Sequence, residues 1–332
     1  MEYRKLGRTG LDVSLLGIGT NDFGRRTDFE RCKAILHTCM DLGVNFIDSS
    51  NVYADGHSEE FIGEILGRTP QRADMIIATK VGINIAGRGA PGAGPNTPNS
   101  GGGSRHHILQ QVEVSLRRLQ TDYIDVYYLH RWDAETPIEE TLRAFDDLIR
   151  SGKVRYIGAS NSAAWQLAGA MWAARVHDTA AFACVQAEYN ILARDIERDM
   201  VPFCKEYGVG LVPYYPLASG LLTGKHSRDH FEEGSRLAGG PWTDVYRGRF
   251  VNDRNWDLVD QLQNFAQDRG HTVTELAFAW LASNPVVRSI TAGATRPEQV
   301  ETNAQACEWK ISADDLAAVN AIIGELKSNA LV

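Results

Sequence analysis

Eight times along this chain a short apolar run gives way to a helical pattern, and that alternation restricts the fold more than any other feature. SLLGIGT (14–20) precedes a helix at 28–42, VNFIDS (44–49) one at 57–67, MIIATK (75–80) one at 105–119 and IDVYYLH (124–130) one at 138–150. VRYIGAS (154–160) leads into 163–175, FACVQAEY (182–189) into 196–207, GVGLVPYY (208–215) into 256–269, and RSITAG (288–293) into 297–306, with a further helix at 313–327. These strands are nearly continuous apolar runs rather than alternating ones, the pattern of a parallel sheet covered on both faces. The expected α/β fold is therefore a (β/α)8 TIM barrel, one domain spanning 1–332. A doubly wound sheet is the structural alternative. The opening YRKLGRTGLDVS predicts an N-terminal hairpin turning at Thr9–Gly10 and placed to plug the barrel bottom.

Two connections are too long for simple turns. Residues 81–104, VGINIAGRGAPGAGPNTPNSGGGS, are rich in glycine and proline, and residues 219–255 carry Phe231, Trp242, Tyr246 and Phe250 among charges. Loops of this length inside a compact domain are usually lids or binding segments. Both follow strands, so a barrel places both at its catalytic face.

Composition excludes several classes of partner. A formal charge of −8, from 34 basic and 42 acidic residues, gives no electrostatic footprint for nucleic acid or an anionic membrane. The apolar runs are short strands, so nothing spans a bilayer. MEYRKLGRTG is basic but no apolar segment follows it, so no secretory signal is read. Cys32, Cys39, Cys184, Cys204 and Cys307 are odd in number and form no C-x-x-C pair. They read as reduced thiols in a cytoplasmic protein.

Three tempting strings fail on context. Gly87-x-Gly89-x-x-Gly92 matches a dinucleotide fingerprint, yet Pro91 lies inside it and no helix can begin where AGPNTPNSGGGS follows. GLLTGKH (220–226) is one residue short of a P-loop and lacks the hydroxyl residue after Lys225. His226 and His230 are four apart without the glutamate or further ligands of a zinc motif.

A different constellation survives. Asp48 and Tyr53 follow the second strand, Lys80 closes the third and His130 closes the fourth. Each has an ordinary reading as cap, packing aromatic, snorkelling amine or loop histidine. Together, at the carboxyl ends of neighbouring parallel strands, they converge on one pocket.

With those residues in view, the sequence resembles the aldo-keto reductase superfamily over essentially its full length. FIDSSNVYADG, ATKVG, YYLHRWD, GASN, VQAEYN and GATRPEQVETN occur in that family's order. The pattern is most similar to the bacterial branch related to potassium-channel β-subunits and aryl-alcohol dehydrogenases. The family's Asp, Tyr, Lys and His tetrad falls on Asp48, Tyr53, Lys80 and His130 without substitution. The resemblance implies reversible, NADP(H)-dependent reduction of an aldehyde or ketone to an alcohol, with Tyr53 as general acid. A free tyrosine, with a pKa near ~10, is a sluggish acid at neutral pH. The Lys80 ammonium is expected to lower it, Asp48 to keep Lys80 charged, and His130 to orient the carbonyl. No metal is required.

The resemblance also implies a cofactor path. Ser160, Asn161 and Gln186 would bind the nicotinamide carboxamide, Tyr214 would stack on its ring, and Thr20 and Asp48 would lie beside it. PLASGLLTGK resembles the pyrophosphate loop, with Pro216, Leu217, Ser219, Gly220 and Lys225 as contacts. Gly293, Ala294, Thr295 and Arg296, with Gln299 and Asn303 on the following helix, would take the adenosine 2′-phosphate. One departure concerns that end: many members carry glutamate before the terminal asparagine, where this chain has Thr302, which leaves NAD(H) open. Expected pocket walls are Phe23, Tyr53, His130 and Trp132, with Trp242 or Phe250 from the long loop. The substrate is a small carbonyl compound or alcohol, with aryl aldehydes, keto-sugars and polycyclic ketones as candidates. Two rival functions stand beside this one. The first is a cofactor-binding regulatory subunit like the channel β-subunits, which usually carry asparagine where this chain has His130. The second is a barrel lyase using Lys80 as a Schiff base. Oligomeric state is not legible.

Overall fold

The computed structural model describes residues 1–85, 98–240 and 242–324. The string at 87–92, the middle of the 81–104 connection and the last residues of the helix expected at 313–327 lie outside the described residues. Strands β1 (Tyr3–Lys5) and β2 (Asp12–Ser14) form the expected hairpin. Its turn is wider than the two residues at Thr9–Gly10, because Leu6 N–H closes on Leu11 O at 2.9 Å.

The remaining strands are β3 (Leu16–Gly19), β4 (Phe46–Asp48), β5 (Ile76–Val81), β6 (Ile124–Leu129), β7 (Val154–Ser160), β8 (Cys184–Glu188), β9 (Gly210–Tyr214) and β10 (Ile290–Gly293). They close in the parallel order β10-β3-β4-β5-β6-β7-β8-β9, a (β/α)8 barrel. Phe46, Ala78, Val126, Tyr128, Cys184 and Val212 fill its interior, and Leu6 and Val13 of the hairpin close the bottom. Large interior rings need room. At Gly158 a Cβ would sit 2.5 Å from the Tyr128 ring, and at Gly17 one would sit 2.8 Å from Phe46. The alternate side chains, such as Ile47, Ile77, Tyr127, Val185 and Leu211, pack outward under the helices.

Those helices are α1 (Phe29–Asp41), α2 (His57–Ile62), α3 (Arg105–Arg118), α4 (Ile138–Arg150), α5 (Ala164–His177), α6 (Met200–Tyr207), α7 (Thr243–Phe250), α8 (Asp253–Gln267), α9 (Val273–Ser283), α10 (Pro297–Ala306) and α11 (Ala313–Ile323). One expectation is corrected here. The helix foreseen near 256–269 exists as α8, but it packs on α9 and α11, while α9 lies against β10 and α10 in the ring. The segment 219–255 is also not a plain loop. It opens with a tight turn at Ala218–Thr223 and contains α7. Among the described residues no helix is long and apolar enough to cross a membrane. All five cysteines are buried free thiols.

Candidate active site

Strand register brings the site together. Gly19 pairs with Asp48 and Asp48 with Ala78, so β3 and β4 end level and β5 runs past them to carry Lys80. Asp48 is the last residue of β4, and its carbonyl accepts from both the N–H and the hydroxyl of Thr20 at 3.0 Å. The Thr20 hydroxyl is bound in turn to Ser58 at 2.7 Å. Thr20 therefore fixes the Asp48 backbone. Tyr53 opens a short turn whose next two residues, Ala54 and Asp55, hold left-handed backbone (φ 49° and 56°). Such conformations are costly for non-glycine residues and persist only where the surroundings enforce them.

Lys80, near the end of β5, has no exposed surface. Its ammonium donates to Asp48 Oδ2 at 2.8 Å, to Ser49 O at 2.7 Å and to Tyr53 Oη at 3.2 Å. An ammonium has three protons, and all three are committed. Two consequences follow. Lys80 has no free face for a carbonyl substrate, which argues against a Schiff-base role. Tyr53 Oη accepts a hydrogen bond from Lys80, so its own proton points elsewhere. Burial opposes the charge on Lys80, but Asp48 and Tyr53 raise its pKa above the ordinary lysine range, so it stays an ammonium.

The expected lowering at Tyr53 is corrected. Burial pushes the phenol up, Lys80 pulls it down, Asp48 pushes it up again, and the balance lies above the ordinary tyrosine value. The phenol thus remains protonated. What Lys80 does is reduce the cost of the phenolate in a setting that otherwise disfavours it.

His130 follows β6, with its ring 6.0 Å from the Tyr53 ring in a T-shaped arrangement. Burial, then the neighbouring Lys80 and Arg131 charges, hold its pKa well below the usual histidine range, so the imidazole is neutral. Its Nδ1 lies 3.1 Å from Ser50 Oγ, which also faces the Val52 N–H at 3.5 Å. The hydroxyl can donate its proton to Nδ1 while it accepts from Val52. That arrangement leaves Nε2 carrying the hydrogen. Ser50 was missed in the sequence, because a serine beside an aspartate carries no motif of its own.

The expected cofactor residues lie along the strand ends from β7 through β10. Ser160 and Gln186 are paired across β7 and β8. Asn161 donates to His130 O at 3.1 Å and accepts from Tyr214 Oη at 2.8 Å. Among the described residues Gln186 Nε2 and Ser219 Oγ are buried without a hydrogen-bond partner. Buried polar atoms are rarely left so, and these orphans match a polar ligand that crosses the barrel mouth. After Pro216 and Leu217, residues Ala218, Ser219 and Gly220 all take positive φ (46°, 57° and 108°), in a tight turn whose Ala218 and Gly220 N–H groups close on Tyr215 O and Leu217 O at 3.0 and 2.8 Å. Lys225, beyond that turn, is depressed by burial and by its neighbours Arg296 and Arg26. The cations beside Lys225 favour an anion at this end of the site. Gly293 and Ala294 end β10 and follow it, Thr295 N–H donates to Gln299 Oε1 at 2.7 Å, and Asn303 is buried on α10. These residues fit a dinucleotide carrying phosphates.

The pocket walls differ from expectation. Phe23 and Phe250 are packed into the core and back the site rather than face it. Trp132 is half-buried against that core, and Trp242 points to solvent. Ile83 and Ile85 instead pack against Val52 and Tyr53, at the neck of the 81–104 connection, where Ile85 N–H closes on Ser100 O at 2.8 Å. Arg236 was also missed. It reaches from the 219–255 segment to Asp22 at 2.7 Å and Asn21 at 2.8 Å, and its charge acts on Tyr53.

A parallel eight-stranded barrel with a lysine–carboxylate–phenol cluster and a neutral histidine at its carboxyl mouth defines an oxidoreductase-type site. The chain belongs to the aldo/keto reductase family, whose model matches residues 15–324. It is 40% identical over 311 residues to a probable voltage-gated potassium channel subunit beta of Arabidopsis thaliana, covering 93% of this chain and 92% of the relative. It is 34% identical to an uncharacterised oxidoreductase of Bacillus subtilis (97% and 96% covered) and 32% identical to an L-glyceraldehyde 3-phosphate reductase of Escherichia coli (99% and 94%). Family and relatives together support an oxidoreductase acting on carbonyl groups.

Proposed function

We propose that this protein is an NADP(H)-dependent reductase of aldehydes or ketones in which Tyr53 is the general acid. The observation that carries the reading is the commitment of all three Lys80 protons beside a phenol whose own proton is free. When bound, the nicotinamide supplies a hydride to the carbonyl carbon. His130 Nε2–H holds the substrate oxygen, and Tyr53 Oη delivers a proton to it as the C=O electron pair moves onto oxygen. Lys80 then stabilises the phenolate left behind, and the phenol regains its proton from solvent. In the reverse direction the same phenolate accepts the alcohol proton.

Ser160, Asn161 and Gln186 hold the carboxamide and Tyr214 the ring face. Residues 216–220 with Lys225 take the pyrophosphate, and Arg296 with its neighbours favours a 2′-phosphate, hence NADP(H) over NAD(H). Tyr53, His130 and Trp132 bound the substrate space, joined by Ile83 and Ile85. The printed activity of the Escherichia coli relative adds phosphorylated aldehydes to the candidate substrates. A second reading, a regulatory subunit with little turnover, rests on the similarity to a probable channel β-subunit. NADPH consumption against a panel of aryl, sugar and phosphorylated aldehydes separates the two. Turnover supports the reductase; silence across the panel with tight NADPH binding supports the regulatory subunit.

A further inference from the structure

On the outer face of α5, Trp165, Trp172 and Val176 are 74%, 67% and 55% exposed. Their spacing of seven and four residues puts them in one row. Gly169 lies in the same row, exposed, and a Cβ there would meet nothing within 4 Å. Glycine weakens a helix interior relative to alanine, and nothing in this chain approaches it closely enough to require it. A second backbone pressed against the row would.

The neighbouring helix α4 presents a parallel row of charges. Glu140, Arg143, Asp147 and Arg150 are its exposed residues, alternating in sign. Both rows have one symmetry. Trp165 and Trp172 are equidistant from a midpoint beside Gly169, and the α4 charges invert in sign about position 145. We propose that α4 and α5 form the interface on which two copies of this chain pair about a two-fold axis, with the α5 helices antiparallel. Trp165 then stacks on the partner's Trp172 and Gly169 on the partner's Gly169. On α4, Glu140 faces the partner's Arg150 and Arg143 the partner's Asp147. An isologous contact demands this self-complementarity, and an unrelated partner does not.

Area and charge agree with that occupant. An indole presents roughly 250 Å² at most, so four at these exposures supply roughly 700 Å² of the about 1,600 Å² in a standard interface. The chain carries −8, so most of its surface repels a second copy, whereas this α4 row is neutral. The ion pairs now holding it, Arg105 to Asp147 and Arg150 to Asp146, are exposed and exchange at little cost.

Light scattering during size exclusion tests this on the full chain, with a Trp165→Glu/Trp172→Glu variant and a Gly169→Cys variant. The native protein is expected to run as a dimer and the double variant as a monomer whose far-ultraviolet circular dichroism matches that of the native protein. Mild oxidation is expected to crosslink Gly169→Cys into a covalent dimer, while Gly10→Cys, on the remote hairpin, stays uncrosslinked. The native cysteines are buried and do not interfere. A monomeric native protein, a dimer that survives in the double variant, or no crosslink at 169 would each overturn the proposal.

Discussion

Replacing Lys80 by methionine removes one charge from the centre of the site and keeps the side-chain volume. Two magnitudes follow from the geometry. At 3.2 Å from Tyr53 Oη, the ammonium is worth about 5 kcal/mol to a full phenolate at an effective dielectric constant of about 20. A half-formed phenolate in the transition state draws on about half of that, roughly a hundredfold in rate. Separately, the variant strands the Asp48 carboxylate, which is buried, without its cation. Breaking a buried pair this way costs about 3–5 kcal/mol of stability. Adding Asp48→Asn removes the stranded charge, so the double variant is expected to recover most of the lost stability. It is not expected to recover turnover. Urea denaturation measures the first effect and steady-state NADPH consumption the second, and both are read on the same preparations. A Lys80→Met/Asp48→Asn protein that turns over at the native rate would refute the role given to Lys80.

Ser50→Ala is expected to release the His130 ring from a single tautomer, visible in its imidazole nitrogen NMR shifts, and to cost about 0.5–1.5 kcal/mol in kcat/KM; an unchanged tautomer removes Ser50 from the account. His107 is buried, and burial lowers its pKa to about 4 against the opposing effect of a backbone hydrogen bond at Asn99. The folded value lies below the unfolded one of about 6.5, so its contribution is complete above pH ~6.5 and drains as pH falls towards 4, by roughly 3 kcal/mol. His107→Leu should flatten that acid limb in a stability–pH profile, and a limb of unchanged slope contradicts the assignment. Arg296→Ala is expected to raise the Kd for NADPH about tenfold while leaving NADH nearly unmoved, measured by tryptophan quenching; equal losses for both would place Arg296 away from the 2′-phosphate.

Much of this molecule was legible as pattern. The helix at 138–150 and the strand at 154–160 appear with the bounds expected, since both carry clean burial periodicity or a β-branched run between turn residues. Helix α9 escaped because nearly every position in VTELAFAWLAS is buried, which leaves no polar face to reveal a helical period. One signal was available: Thr272 and Glu275 form a capping box at its start. The tetrad was readable because polar residues at strand ends break an apolar run. Phe23 was misplaced because an aromatic next to the site looks the same in sequence whether it faces inward or outward. Arg236 was out of reach for a different reason. Its partners Asn21 and Asp22 lie more than two hundred positions away, across a turn that no local spacing encodes.

The central claim is that the proton reaches the substrate oxygen from one phenol. Tyr53→Phe tests it most directly, with NADPH affinity and carbonyl turnover measured side by side. The expected result is native cofactor affinity with turnover lower by ~10²–10⁴-fold. Turnover at the native rate in that variant would contradict the account.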